Sequence, residues 1–497
     1  MGLMIKEKSY LSYNVFSGGI SLIILLLLFS CQKDPVDNDP GVKLNFSQDT
    51  VFFDTVFTSL GSTIQSFTVH NKGKQRISIT SIRLAGGTSS FYRMNVDGQA
   101  ANEVKDIDID GEDSLYIFCR VTIDPTDERN PFVISDSIVF ETNGNIQDVN
   151  LVAWGQNANY ILADTYIPGY PKFKIIAHEN ETARWTADKP YVIYGFAVVD
   201  STGSLEIERG TRVYFHNNSG LWIYKGGNIK AKGSVDAPII FQGDRLESFY
   251  QDMPGQWDRI WINEGSVNNE IEYAIIRNGF IGLQLETIQE QMGNQLILSN
   301  TRIENMTGYG ILTRFYNLTA YNNVVVNCGQ YLAAFTWGGI YDIRQCTFAN
   351  YWSASVRVTP SIVLNNYATD TNDIPYLWFE FQGYFGNNIF YGRNDDELLL
   401  LGDTGAPFQY RFDHCLLRTT LDVSDPGHYP GCLVNEDPLF FNYLENNYQL
   451  DTLSPLIDKG NPEVIRQSFF DLHRDIIETN RPEDLPDIGA YEFIKPE

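Results

Sequence analysis

The chain has 497 residues, 43% of them hydrophobic and 13% aromatic, and its formal net charge at pH 7 is −26. That much negative charge excludes nucleic acid and an anionic membrane face as partners held by charge. Length and apolar content together suffice for two or three domains with sizeable cores.

Residues 1–30 place Lys6 and Lys8 ahead of the apolar run SLIILLLLFS at 21–30. The run is too short to cross a hydrocarbon layer of about 30 Å, but has the size of a signal-peptide core. Leu28-Phe29-Ser30-Cys31 resembles a bacterial lipobox, which implies cleavage before Cys31 and a diacylated Cys31 as the membrane anchor. Gln32-Lys33-Asp34 resembles the export signal of Bacteroidetes surface lipoproteins, which implies an outer-membrane lipoprotein displayed at the cell surface. Residues 31–41, ending PVDNDPG, then form a tether.

Residues 42–156 hold the runs KLNFSQDTVFFDTVF, STIQSFTVHN, RISITSIRLAG, DSLYIFCRVTI, DSIVFETN and QDVNLVAWG, with turn clusters such as NKGK and NGN between them. Strand-like runs at short spacing with no helical segment predict a β-sandwich of immunoglobulin-like type. Cys119 is the one cysteine of this stretch, so there is no Cys-Trp-Cys frame. The stretch resembles the immunoglobulin-like modules at the N-termini of Bacteroidetes lipoproteins, which implies a spacer or a binding platform.

Residues 157–194 read as an irregular connecting segment broken by Pro and Gly, and 195–445 as a solenoid. Its clearest part is 294–352, where blocks superpose at a step of 23 residues, aligning Asn300 with Asn323 and Cys346, and Ile303 with Val326 and Ala349. A fixed period in the twenties marks one supersecondary unit that must stack on copies of itself. Because each block is made of short β-branched and aromatic runs, the solenoid is a right-handed parallel β-helix of about ten coils. The same register stacks Arg302 over Val325 and Phe348, Glu304 over Asn327 and Asn350, and Arg314 over Trp337, with no column holding two carboxylates. Residues 203–245, with GQWDRIWI and NNEIEYAIIRNG, resemble the first coils of the Bacteroidetes β-helix lipoproteins, of pectin lyase-like fold. An insertion falls between about 360 and 382.

Residues 446–497 include NYQLDTLSPLIDKGNP and DLHRDIIETNRPEDLPDIGAYEF, which resemble the closing segment of such proteins. The resemblance implies a cap lying against the last coils. Asp458, Asp471, Arg474, Asp475, Arg481, Asp487 and Glu492 are expected to make ion pairs there, and a Ca²⁺ site at Asp458, Asp487 and Glu492 is the functional alternative.

For catalysis, the candidates are Asp244 and Glu247 near Arg245, and Asp258 beside Arg259; ion pairs at coil corners are the plainer reading. His414 and Cys415 are adjacent strand residues on opposite faces, which keeps them from cooperating. Asp395-Asp396-Glu397 reads as a solvated turn. The Asp-Asp, His-Gly and Arg-x-Lys set of polygalacturonases is absent. Binding has richer material: Trp337, Trp352, Tyr376 and Trp378 lie beside Asn and Asp, and ring stacking with planar hydrogen bonds is how proteins hold sugars. The expected function is therefore non-catalytic binding of a polysaccharide or a cell-surface protein. A polysaccharide lyase or glycoside hydrolase, and a structural or adhesive stalk, are the alternatives. Cys119, Cys328, Cys346, Cys415 and Cys432 are expected to be buried thiols, with a disulfide involving Cys432 as the alternative.

Overall fold

The computed structural model describes residues 35–57, 64–121, 132–156, 158–246, 250–287 and 295–494. Cys31 and Glu247 lie outside these residues. Two compact units divide after Gln156. Among the described residues, no helix is long and apolar enough to cross a membrane.

The first unit is a β-sandwich of two five-stranded sheets. One runs Asn45–Phe46, Gln65–His70, Ser114–Val121, Tyr92–Val96, Gln99–Ala101; the other Thr50–Phe57, Asn145–Gln156, Phe132–Thr142, Ile77–Leu84, Glu103–Ile109. Alternation builds the core between them: Leu115, Ile117, Cys119 and Val121 are buried while Tyr116 and Phe118 are exposed. Thr50–Phe57 pairs parallel with Asn145–Gln156, whereas the other ladders described in these sheets are antiparallel.

The second unit is a right-handed parallel β-helix with three faces. The first face is an 11-stranded sheet from Asn159–Leu162 to Leu433–Val434. The second contains Phe196–Val199, Gly220–Ile223, Trp257–Ile262 and Gly279–Glu286; the third contains Ser204–Ile207, Asn228–Lys232, Asn269–Glu272 and Leu296–Ser299. The long strands Tyr309–Tyr321 and Ala333–Arg344 bend around a corner and fuse the second and third faces into one sheet. Leucine, isoleucine, valine and phenylalanine fill the lumen.

Left-handed residues turn the corners. Tyr273, Asn300, Asn322, Gln345, Asn387 and His414 all have φ between 47° and 53°, and four of the six carry a side-chain amide, whose short polar chains tolerate this region best. Just inside them runs a ladder of Thr301, Asn323, Cys346, Asn388 and Cys415. Thr301 N donates to Asn323 Oδ1 (2.9 Å), Asn323 Nδ2 to Leu298 O (2.8 Å), Cys346 N to Asn388 Oδ1 (2.7 Å) and Asn388 Nδ2 to Ile343 O (2.8 Å). The amides thus satisfy backbone groups that a turning strand leaves unpaired.

The register departs from the uniform step of 23. Ile303 pairs with Val325, 22 residues on, and Val325 with Phe348, 23 on. Arg302 therefore stacks over Val324 and Thr347, Glu304 over Val326 and Ala349, and Arg314 over Thr336 rather than Trp337. The cause is a bulge: Arg314 pairs with Thr336 but Tyr316 with Gly339, so Trp337 and Gly338 together oppose Phe315. Trp337, Gly338 and Gly339 have φ of 62°, 75° and 112°, and the glycines supply the backbone freedom that this corner needs.

One segment differs from its reading. Residues 157–194 are not an irregular connector: Asn159–Leu162, Phe173–Ala177, Thr182–Trp185 and Tyr191–Tyr194 pair into the solenoid, so the stack begins at Asn159. The C-terminal segment folds back along the outside of the first face. Tyr448, Leu450, Leu456, Ile476, Ile488, Ala490 and Tyr491 bury Val324, Val326, Ala349, Ile389 and Leu416. The insertion between 360 and 382 contains a hairpin of Tyr367–Thr369 and Pro375–Trp378.

Candidate functional site: an open groove on the second face

Alternation along the second face sends 222 and 224, 261 and 263, 284 and 286, and 312 and 314 outward. Register stacks them into two columns, Trp222–Trp261–Gln284–Leu312 and Tyr224–Asn263–Glu286–Arg314. Between them lies a groove of about 470 Å³, whose lining also includes Tyr170 and Trp337.

The aromatic column is a stack. Tyr170 lies on Trp222 (5.9 Å, 18°) and Trp222 on Trp261 (4.8 Å, 13°), while Tyr224 meets Trp222 edge-on (5.3 Å, 87°). Trp222 is 4% exposed because both of its faces are covered; Tyr170 at 50% and Tyr224 at 37% keep ring surface open to a ligand.

Glu286 organises the polar column. Its Oε1 accepts from Trp261 Nε1 (2.7 Å) and Asn263 Nδ2 (3.2 Å), and its Oε2 from Gln284 Nε2 (3.0 Å) and Arg314 Nη1 (3.1 Å). Asn263 Oδ1 accepts from Trp222 Nε1, which ties the polar column to the aromatic one. The Arg314 guanidinium lies 5.3 Å from the centre of the Trp337 ring, which stacks in parallel with Phe379 at 6.4 Å. Lys225 and Glu264 form an ion pair of 2.6 Å at the rim.

The sequence candidates are dispersed. Trp337 lines the groove. Trp378 and Tyr376 are exposed on the inserted hairpin, where Trp378 Nε1 donates to Asp403 Oδ1 (2.6 Å). Trp352 is only 7% exposed; its Nε1 donates to Ser355 Oγ (2.9 Å), and it lines a separate cleft with Asn305, Asn327 and Tyr351.

Asp244 accepts from His216 Nδ1 (2.8 Å), and Tyr194 stacks on the His216 ring at 4.2 Å. Asp258 pairs with Arg259 (2.8 Å), whose guanidinium also reaches Gln284. These two carboxylates thus have separate partners, each at a coil edge.

Glu397 is not in a solvated turn. It is fully buried, bound by both terminal nitrogens of Arg357 and by Ser361 Oγ (2.7 Å). His414 Nδ1 contacts Asp413 (2.7 Å) at a corner while Cys415 is buried in the lumen, as adjacent residues of a strand require. Burial pushes the Asp413 carboxyl up, but hydrogen bonds from His414, Asn461 and Arg411 outweigh it and hold it at about 2.

The acids of the C-terminal segment bind backbone. Asp487 accepts from Asp458 N (2.7 Å) and Phe493 N (2.7 Å), Glu492 from Asp487 N (3.2 Å), and Asp475 from Ile477, Thr479 and Glu492 N. Arg481, buried among them, donates to Asn322 Oδ1 (3.0 Å) and to the carbonyls of Gly489 and Ala490, so the expected carboxylate pairs of Arg481 are replaced by carbonyl contacts. Burial, then the charge of Asp487, pushes the Glu492 carboxyl up to about 8. Among the described residues, no group of three or more His, Cys, Asp or Glu is arranged to hold a metal ion.

No family model matches the chain, and neither does any curated protein. Among solved structures, the catalytic domain of a GH87 α-1,3-glucanase in complex with nigerose is similar over 72% of this chain and 78% of its own, at 10% identity and a TM-score of 0.19. The PapD-like domain 7 of human CEP192 is matched over 26% of this chain and 96% of its own, at 8% identity and a TM-score of 0.17. A family 123 glycoside hydrolase from Clostridium perfringens is matched over 23% of this chain and 27% of its own, at 7% identity and a TM-score of 0.18. Similarity at these scores carries no functional argument, and the reading of this chain rests on its own geometry.

Proposed function

We propose that this is a lipid-anchored envelope protein whose β-helix binds a neutral glycan in the groove of the second face without cleaving it. The observation that carries the reading is the pair of wired columns, which offers open Tyr170 and Tyr224 ring surface beside an amide, a carboxylate and a guanidinium. A pyranose needs an apolar surface for one face and planar hydrogen-bonding groups at its edge. Because the polar groups already hold one another, little ordering remains to oppose binding.

Charge pairing favours a neutral sugar. Lys225 faces Glu264 at 2.6 Å and Arg314 faces Glu286 at 3.1 Å, so the groove has no uncompensated charge of either sign from these four groups. The same wiring argues against catalysis: a glycosidase needs a carboxyl free to deliver a proton and a second one across the scissile bond. Both oxygens of Glu286 already accept from protein donors.

The anchor and its outer-membrane location rest on the Leu28 to Cys31 motif and on the Gln32-Lys33-Asp34 signal. The two largely antiparallel sheets of the N-terminal sandwich support an immunoglobulin-like spacer.

Affinity electrophoresis against plant, host and microbial polysaccharides, with a parallel assay for new reducing or unsaturated ends, tests the reading. Retention by a neutral glycan, lost in Tyr224→Ala and with no new ends, is the expected result. New ends overturn the non-catalytic reading in favour of a β-helix hydrolase or lyase. Retention by none of the glycans moves the function to a protein-contacting stalk.

A further inference from the structure

The interior ladder of Thr301, Asn323, Cys346, Asn388 and Cys415 continues for one more step. Leu416 pairs with Leu433, so the residues just before them, Cys415 and Cys432, are neighbours on consecutive coils. Elsewhere an amide separates the thiols: Asn323 and Asn388 flank Cys346, and Cys328 has Asn350 as its neighbour. Among the described residues, 415 and 432 are where two thiols share one column on adjacent coils.

Geometry suits a bond there. Neighbouring strands lie about 4.8 Å apart, within the Cα separation of roughly 4.4–6.8 Å that a disulfide spans. Both side chains belong to the lumen, Cys415 fully buried and Cys432 half-buried against the same core. Each sulfur lies 3.3 Å from a carbonyl of the preceding coil, Cys415 from Phe385 O and Cys432 from Phe412 O, so the two thiols occupy equivalent places on consecutive coils. The strands that carry them forward, Leu416–Leu417 and Leu433–Val434, are two residues long each. The ladder is therefore shortest where this pair sits.

We propose that Cys415 and Cys432 form a dithiol–disulfide pair that, when oxidised, staples the last coils of the solenoid. Cys432 is the entry point, being the more exposed thiol; its neighbour Cys415 lowers it below the usual range, while burial holds Cys415 well above it. With a small disulfide such as oxidised glutathione as oxidant, the Cys432 thiolate attacks one of its sulfurs, breaks its S–S bond and releases a first thiol. Cys415 then loses its proton and attacks Cys432 Sγ, releasing the second. The protein gives up two protons and two electrons, and one small disulfide becomes two thiols.

Peptide mapping of the full chain, alkylated in denaturant after treatment with oxidised glutathione or with dithiothreitol, tests this. The expected result is a linked peptide joining Cys415 to Cys432 in the oxidised sample, with Cys119, Cys328 and Cys346 alkylated in both. Melting of the same two samples should give a midpoint several degrees higher when oxidised, as expected for closing a loop of this length, and no difference in Cys432→Ser. Alkylation of both thiols after oxidation, a glutathione adduct persisting on Cys432, or a link to a different cysteine overturns the pairing. Equal midpoints in spite of the link overturn the staple.

Discussion

The first and second faces of the β-helix are made by the same coils and differ in what their outward columns carry. On the first, Val324, Val326, Ala349, Ile389 and Leu416 point out, and the C-terminal segment covers them. On the second, Trp261, Asn263, Glu286 and Arg314 point out and line an open groove. Coil stacking needs only the inward residues, so each outward column is free to record its own partner: an apolar one is answered within the chain, and a wired aromatic one is left for a ligand.

The sharpest way to break the comparison is at the covered face. Arg481 is buried with Asn322 Oδ1 and two carbonyls as acceptors, in the field of Asp475, Glu492 and Asp487. Arg481→Ala leaves three buried acceptors, Asn322 Oδ1 and the carbonyls of Gly489 and Ala490, without their charged donor and is expected to cost about 3–5 kcal/mol, at roughly 1–3 kcal/mol for each acceptor left unsatisfied, read as a lower urea midpoint. Next comes Tyr448→Ala, which empties a fully buried ring site and removes the hydrogen bond to Asn327 Oδ1 (3.2 Å). A loss of about 3 kcal/mol is expected. Tyr170→Ala on the open face should leave the same midpoint nearly unchanged while weakening glycan retention.

Trp261→Ala sharpens the contrast from the other side. It removes the centre of the stack and one donor to Glu286. A loss of affinity of tenfold or more, about 1.4 kcal/mol, is expected by titration calorimetry, with a smaller effect on stability than Tyr448→Ala.

The covered face should also be the more sensitive to rising pH. Glu492 is pushed up to about 8 in the folded chain from a usual value of 4.5, so between those limits the folded state binds more protons than the unfolded one. Its contribution is fully present below about 4.5 and lost as pH rises through about 8. Asp487, raised in the same direction by burial, adds to the trend. Asp413, held at about 2, works oppositely: its contribution is present above its usual 3.8 and lost as pH falls through about 2. Melting midpoints from pH 5 to 9 should decline less steeply in Glu492→Gln than in the parent.

Much of this architecture is legible in the sequence, because strand runs, corner asparagines and a period in the twenties follow from stacking itself. The exact register is not. One bulge at Trp337-Gly338 changes the step from 22 to 23, and one residue of slip moves Arg314 from Trp337 to Thr336. The first coils escape notice because Pro and Gly mark their turns as strongly as they mark a loose connector. The groove is hidden for a related reason: Trp222 and Trp261 are neighbours on consecutive coils but 39 residues apart in sequence, against 22 or 23 in the clear repeats, so no fixed period relates them. GLWIYKGG and GQWDRIWI carry the signal, which emerges once outward positions are separated from inward ones. Glu397 shows the remaining limit, since an acidic run gives no hint that Arg357 waits 40 residues away in sequence.

The smallest expected effect concerns the rim pair, where Lys225 is well exposed and its loss should shift the melting midpoint by no more than about 1 °C. Its value lies in charge. Lys225→Ala unpairs Glu264 and makes the groove anionic, which should leave the affinity for a neutral glycan nearly unchanged and reject uronic-acid chains further. Glu264→Gln does the reverse: it frees the Lys225 ammonium and should admit an anionic glycan, with an affinity that falls as salt is added. The two variants have the same small effect on the fold and opposite effects on charge selection. A groove that discriminates by ring surface and wired hydrogen bonds will show that divergence, whereas a surface that merely carries aromatics will show none.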